Sequence, residues 1–228
     1  SFSINPHIYA KLPFDTVADF APVVLASSAP LFLVINPAVQ AKSVGELIAV
    51  AKANPGQLNY ANSGNGTTAH LAGELFKKTA GVNLVSVPYK GGGPAVIDLI
   101  AGQVQIYFST IPAALAQVQA GKLRGLAVTA ARRVNLIPAV PTVAESGLPG
   151  FEVVGWFGIF APAATPTAIV VRLNKETNAI LADPKTKARL AELSSSAFPN
   201  SPVQFGKHIA DEIEKWGKVI RAANIKPQ

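Results

Sequence analysis

From residue 31 to residue 130 one scheme recurs: a short apolar run, a turn rich in glycine or proline, then a stretch with helical spacing. "LFLVIN" (31–36) stops at Asn36-Pro37 and leads into "SVGELIAVAKANPG" (43–56), where Ser43 stands as a helix cap with Glu46 three residues on. "QLNYAN" precedes a glycine turn, and "TTAHLAGELFKKTAG" runs as a helix to a stop at Gly81. "LVSVPYKGGGPAVIDLIAG" (84–102) repeats the scheme, with Pro94 near the first helical turn, where a missing N–H costs nothing. "QVQIYFST", "IPAALAQVQAG" and "LRGLAVTA" supply the third and fourth rounds. Such alternation predicts α/β layers around a largely parallel sheet.

The flanks read differently. "IPAVPTVAESGLPG" (137–150) is a connector by its proline and glycine density, and "FEVVGWFGIFAP" after it is an apolar strand. Trp156 and Phe157 in that strand are read as buried packing in preference to cleft aromatics. Thr165-Pro166 is expected to open a helix as N-cap and first helical residue. From Ser201 to Ala223, Phe205, Ile209, Ile213, Trp216 and Ile220 recur at helical spacing, so that helix should lay one face on a core. The first thirty residues show little periodicity before "APVVLA" and look like the remainder of a unit that begins elsewhere. Two lobes follow: residues 29–149 form one, and residues 1–28 with 150–228 form an incomplete other, the chain crossing near Ala26 to Pro30 and Gly150 to Gly155.

Composition narrows the function classes. With 49% hydrophobic and 14% charged residues the 228-residue chain is globular, and no uninterrupted apolar run is long enough for a bilayer. The absence of cysteine excludes disulfides, thiolate zinc sites and a cysteine nucleophile, and suits an oxidising compartment. No methionine is present, so Ser1 is not a translation start, and a removed upstream segment is expected. The net charge is +7, but Lys and Arg are thinly spread, Arg132-Arg133 are the only adjacent arginines, and few aromatics lie beside them; nucleic acid is not expected as a partner. His7, His70 and His208 lie in different segments without metal-ligand spacing, so no metal and no cofactor are expected. Ser63 lacks the G-x-S-x-G elbow, and no catalytic residue is assigned.

The candidate site is the turn Gly64-Asn65-Gly66-Thr67-Thr68-Ala69. Its G-x-G-x-x-A form after a strand allows a nucleotide phosphate or a small carboxylate at the helix N-terminus, where unpaired N–H groups and the helix dipole favour an anion. A dinucleotide site calls for an acid about 20 residues on. None occurs between Glu74 and Asp98, and a P-loop would need Lys after Gly66. What remains is a neutral nest: N–H groups of residues 64 to 68 with the hydroxyls of Ser63, Thr67 and Thr68. The plainer reading is that the glycines only turn the chain and the threonines only cap the helix. A second glycine turn, Gly91-Gly92-Gly93, also follows a strand and faces a helix start, so the two should converge at one sheet edge. Ser109 and Thr110 close the next strand at that edge and can donate hydroxyls, Tyr89 can wall the pocket, Lys90 can add charge, and His70 faces either site or core.

The ordered set "NPHIYAKLPFDTVADFAPV", "NPGQLNYANSGNGTTAHLAGELF", "VPYKGGGPAVIDLIAGQV", "GKLRGLAVTAARR" and "PAVPTVAESGLPGFEVVGWFGIFAPAATP" resembles, over essentially the whole chain, the periplasmic solute receptors of tripartite tricarboxylate transporters, the TctC or Bug family. The resemblance implies a periplasmic-binding-protein-like (type II) Venus flytrap with mixed, largely parallel sheets. It further implies a periplasmic, non-enzymatic receptor that hands a small organic anion (a di- or tricarboxylate, an amino acid or an aromatic acid) to membrane transporter subunits. By resemblance the ligand carboxylate is held by main-chain N–H groups, hydroxyls and waters, with Ser63, Gly64, Gly66, Thr67 and His70 at the first turn and Tyr89, Gly91 and Gly92 at the second. Two departures stand out: the family's opening strand and "P-G-G"-type loop have no counterpart here, and Ser109 stands where many relatives carry Asp. The rivals to the receptor are a nucleotide-dependent enzyme using the GNGTTA turn and a signalling sensor of the same fold.

Overall fold

The computed structural model describes residues 2–222 and residue 225. Its elements are α1 (Asn5–Ile8), β1 (Phe20–Ile35), α2 (Val44–Ala53), β2 (Asn59–Asn62), α3 (Thr68–Ala80), β3 (Val85–Pro88), α4 (Gly92–Ile100), β4 (Ile106–Thr110), α5 (Ile111–Gln119), β5 (Arg124–Val128), β6 (Val154–Pro162), α6 (Thr167–Ala182), α7 (Pro184–Glu192), β7 (Ser196–Ala197) and α8 (Pro202–Ala222). They divide into two compact units, Ser1–Ala29 with Gly155–Gln228, and Pro30–Val154.

The Pro30–Val154 unit carries strands in the order β3-β2-β4-β1-β5. β2 is parallel to β3 and β4, while β4 and β5 each run antiparallel to β1 on its two sides. The sheet is therefore mixed, yet β2, β3, β4 and β5 share one direction, as the strand–helix rounds require, and β1 alone is reversed. Phe32, Leu33, Ile35, Tyr60, Phe76, Phe108 and Phe151 are all essentially inaccessible and form the core. Within it Phe108 stacks near Phe151 and meets Phe76 at 5.8 Å between ring centroids. The helix signals act locally as chemistry dictates. Ser43 Oγ accepts from Glu46 N–H, and the Glu46 carboxylate reaches back to Lys42 N–H at 2.8 Å, one residue before the cap. Thr67 caps α3, and Gly81 ends it in the left-handed region at φ 63°.

In the unit formed by both chain ends, β7 pairs antiparallel with the first half of β1, and β6 also pairs with β1. Asn200 clamps the β1 backbone, its amide accepting from Leu25 N–H and donating to Leu25 C=O, while Asn174 donates to Val23 C=O. Phe205 of α8 is fully buried and packs with Leu25, Ile209, Trp156 and Phe160. The α8 spacing holds: Phe205, Ile209, Trp216 and Ile220 are buried, Ile213 packs at their margin, and Ala223 lies outside the described residues. Trp156 packs against Phe205, whereas Phe157 is 62% exposed, because successive strand residues point to opposite faces. The Thr165-Pro166 expectation is corrected by one residue. Pro166, with ψ 135°, is itself the non-helical cap, and the helix starts at Thr167 without a side-chain cap. Among the described residues no helix is long and apolar enough to cross a membrane.

Candidate functional site

Parallel pairing brings the candidate residues of the Pro30–Val154 unit to one edge. Asn62 pairs with Pro88 across β2–β3, and Ala61 with Tyr107 across β2–β4, so both glycine turns and the end of β4 leave neighbouring strands on the same side. The turns are tied together: Tyr89 N–H donates to Asn62 C=O at 2.9 Å, and a Cβ placed on Gly64 would lie 3.8 Å from Tyr89 O. Gly64 sits at φ 127°, a conformation closed to ordinary side chains, so glycine is required where the two turns approach.

The first turn is built around Asn62, fully buried and absent from the sequence-derived set. Its amide oxygen accepts from Gly64 N–H at 2.9 Å, and its nitrogen donates to Ser86 Oγ at 2.9 Å. An Asn directly before Ser-Gly is an Asx-turn signal, which is how it could have been found. Not every N–H of the expected nest is free. Gly64 N–H goes to Asn62, Gly66 N–H to His70 Nδ1 at 3.2 Å, and Thr67 N–H to Gly64 C=O. This corrects the reading of residues 64 to 68 as an open row of donors: a tight turn satisfies its own groups first. Among the described residues the N–H groups of Asn65 and Thr68 keep no protein partner. Thr67 is likewise committed, its hydroxyl donating to Gly64 C=O at 2.7 Å and accepting from His70 N–H, so it serves as the helix cap. Ser63 Oγ lies 3.3 Å from Thr67 Oγ1.

His70 is buried, and by accepting from Gly66 N–H at Nδ1 it carries its neutral-form proton on Nε2. Burial holds its pKa below the ordinary 6.5, with Lys77 lowering it further and Glu74 opposing. As pH falls below 6.5 the unfolded chain takes up the proton first, so stability is lost toward acid and is unaffected above that value. His208, also depressed by burial, acts in the same sense. The melting temperature should fall as the pH drops below about 6.5. In His70→Asn, whose amide oxygen replaces Nδ1, that fall should be smaller; an unchanged profile would remove His70 from the effect.

At the second turn Gly91 caps α4 at φ 107°, and Gly92 and Gly93 open the helix with N–H groups that have no partner among the described residues. Tyr89 donates its hydroxyl to Asp98 Oδ2 at 2.8 Å, and desolvation, together with this bond and the Asp98 charge, pushes its pKa up to about 12. That leaves its ring and backbone, not its hydroxyl, for the edge. Lys90 and Thr110 are exposed. Ser109 is fully buried, its Oγ without a partner. Tyr107 was not anticipated, although its spacing of two from Ser109 places it on the same strand face. It is 3% exposed, its pKa is raised by burial against a smaller lowering from Ser63, and its hydroxyl stands 3.1 Å from where Gly92 would carry a Cβ. A cavity of about 530 Å³ elsewhere is lined only by residues between Pro6 and Thr16 of the other unit and includes none of these groups.

The edge thus presents unpaired main-chain N–H groups and hydroxyls. Its neighbouring acids are occupied: Asp98 by Tyr89, and Glu74 by Tyr60 at 2.6 Å and Lys77 at 2.9 Å. Such a surface can accept an anion without offering a counter-charge.

The sequence matches the model of the tripartite tricarboxylate transporter family receptor, TctC, over residues 1–225. It is 38% identical over 218 residues to the UPF0065 protein in the tcbD-tcbE intergenic region of Pseudomonas sp. (strain P51), covering 95% of this chain and 65% of that protein. The chain thus spans about two thirds of that relative's length. Among solved structures, R. palustris Rpa4515 with adipate superposes at a TM-score of 0.90 with 36% identity, covering 100% of this chain and 76% of the other. The periplasmic binding protein BugD gives 0.87 with 32% identity, covering 100% and 77%.

Proposed function

Because the chain belongs to the tripartite tricarboxylate transporter receptor family, we propose that it is a periplasmic solute-binding receptor that captures a small organic carboxylate and delivers it to a transporter of that type without chemical turnover. The observation that carries this is the edge where two glycine turns and the end of β4 offer N–H groups and hydroxyls, with the nearby carboxylates already bonded. A carboxylate oxygen accepts several such bonds at once, which matches a site of neutral donors better than a single cation would. The relative solved with adipate supports a dicarboxylate as ligand.

In this reading Ser63, Gly64, Asn65, Gly66, Thr67, His70, Tyr89, Gly91, Gly92, Ser109 and Thr110 form or support one half of the site. Asn65, Gly92 and Ser63 touch the ligand, whereas Gly64, Gly66, Thr67 and His70 hold the first turn in shape. Residues 29–149 act as one lobe and residues 1–28 with 150–228 contribute to the other, and closure on the ligand is the working motion. The net charge of +7 aids encounter with an anion, an effect that fades with salt.

A thermal-shift screen tests it. A ligand at about 100 times its Kd adds about 2.7 kcal/mol to the folded state, which for a chain of this size is roughly 5–10 °C. Succinate, adipate or citrate should produce such a shift, and NAD and ATP none. A shift with a nucleotide and none with any carboxylate would replace the receptor by a nucleotide-binding enzyme.

A further inference from the structure

Tyr107 and Ser109 are residues i and i+2 of β4, so their side chains leave the same face of the sheet. That face carries the first turn of α4, because the Tyr107 hydroxyl stands 3.1 Å from where Gly92 would carry a Cβ. Gly91 and Gly93 have nothing within 4 Å of the corresponding positions, so there is room beside the turn. Ser109 Oγ is buried and has no hydrogen-bond partner. A buried hydroxyl left unpaired is destabilising, and its presence at such a point calls for a partner. On that face stand the first turn of α4 with the unpaired N–H groups of Gly92 and Gly93, the Tyr107 hydroxyl beside Ser63, and Ser109 Oγ two residues along β4. The acids of α3 and α4 are turned to other partners, Asp98 to Tyr89 and Glu74 to Tyr60 and Lys77.

We propose that Tyr107 and Ser109 are specificity-determining residues, and that the ligand end docked on this unit is a carboxylate with no amino group beside it, so that the protein prefers plain dicarboxylates to amino acids. An ammonium brought to this face would give up its water for a surface dominated by donors, with no carboxylate directed at it to offset the loss. A carboxylate accepts from the same groups and supplies Ser109 with the partner it lacks. The inference rests on the reading of the glycine turns as the ligand site.

The test is calorimetric titration of the purified chain with succinate and adipate against aspartate and 2-aminoadipate. The unaltered protein should bind the plain diacid at least about tenfold more tightly than its amino counterpart. Tyr107→Phe keeps the ring and loses only the hydroxyl. It should weaken the plain diacid about three- to tenfold while the free protein melts where it did before. Ser109→Asp supplies the missing acceptor and should move the preference toward the amino acid by about tenfold. Should that variant fail to fold, Tyr107→Phe with Ser109→Ala carries the comparison, both weakening the plain diacid more than the amino acid. Equal affinity for succinate and aspartate, or a ratio that no folded variant moves, would overturn the proposal and leave the site reading standing, since ligand still binds. Failure of every acid to bind would remove both.

Discussion

Replacing Asn62 by leucine should abolish carboxylate binding and lower stability by about 2–4 kcal/mol. Leucine keeps the volume and the main-chain bond from Tyr89 N–H, so the change isolates the amide. Two bonds disappear together, from Gly64 N–H to the amide oxygen and from the amide nitrogen to Ser86 Oγ, each 2.9 Å, and a group left unpaired in a fully buried setting costs about 1–3 kcal/mol. The first glycine turn then loses what aims the N–H groups of Asn65 and Thr68. Asn62→Asp separates the two effects. Its carboxylate still accepts from Gly64 N–H and from the Ser86 hydroxyl, so the fold should hold, but a negative charge next to the anion should still suppress binding. Urea denaturation with titration against adipate reads both quantities. If Asn62→Leu loses stability but binds normally, the turn is only structural.

The strand–helix rounds were legible because each is decided locally. Ser43, Thr67 and Gly81 do at their helix ends what their chemistry requires. The reversed direction of β1 was not legible, since no local signal says which neighbours a strand finds, and β1 lies between β4 and β5. The same run conceals its length: "APVVLA" and "LFLVIN" read as separate segments around Pro30, yet form one strand from Phe20 to Ile35. The short α1, α7 and β7 had no strong periodicity to announce them. At the candidate site the two turns could be read from glycine placement after strands. Which N–H groups stay free could not, because it depends on where Asn62 and His70 aim their side chains, and both consume donors that residue types alone leave open. Tyr107 was hidden for a similar reason: an aromatic in an apolar strand reads as core, and only its hydroxyl's approach to Gly92 distinguishes it.

Adjacent glycines of the second turn should answer differently to the same substitution, and the contrast separates folding from ligand recognition. Gly91 sits at φ 107° and ψ 175°, a region essentially closed to residues with a Cβ. Gly91→Ala should therefore cost about 1–3 kcal/mol of stability even though nothing lies within 4 Å of the new methyl group. Gly92 opens α4 with ordinary helical backbone, where alanine is favoured over glycine by roughly 0.5–1 kcal/mol. Its added methyl group, however, would meet the Tyr107 hydroxyl at 3.1 Å, tighter than ordinary contact. Gly92→Ala should leave the melting temperature of the free protein nearly unchanged, the helix gain offsetting the crowding, while affinity for adipate falls about tenfold or more as the hydroxyl is displaced. Combining Gly92→Ala with Tyr107→Phe tests the cause. If the clash with the hydroxyl is responsible, the double variant should bind no more weakly than Gly92→Ala alone, because the group being displaced is already gone. Additive losses would show that the added methyl group obstructs the ligand itself and does not act through Tyr107, and unaltered affinity in all three variants would take the α4 turn out of the site.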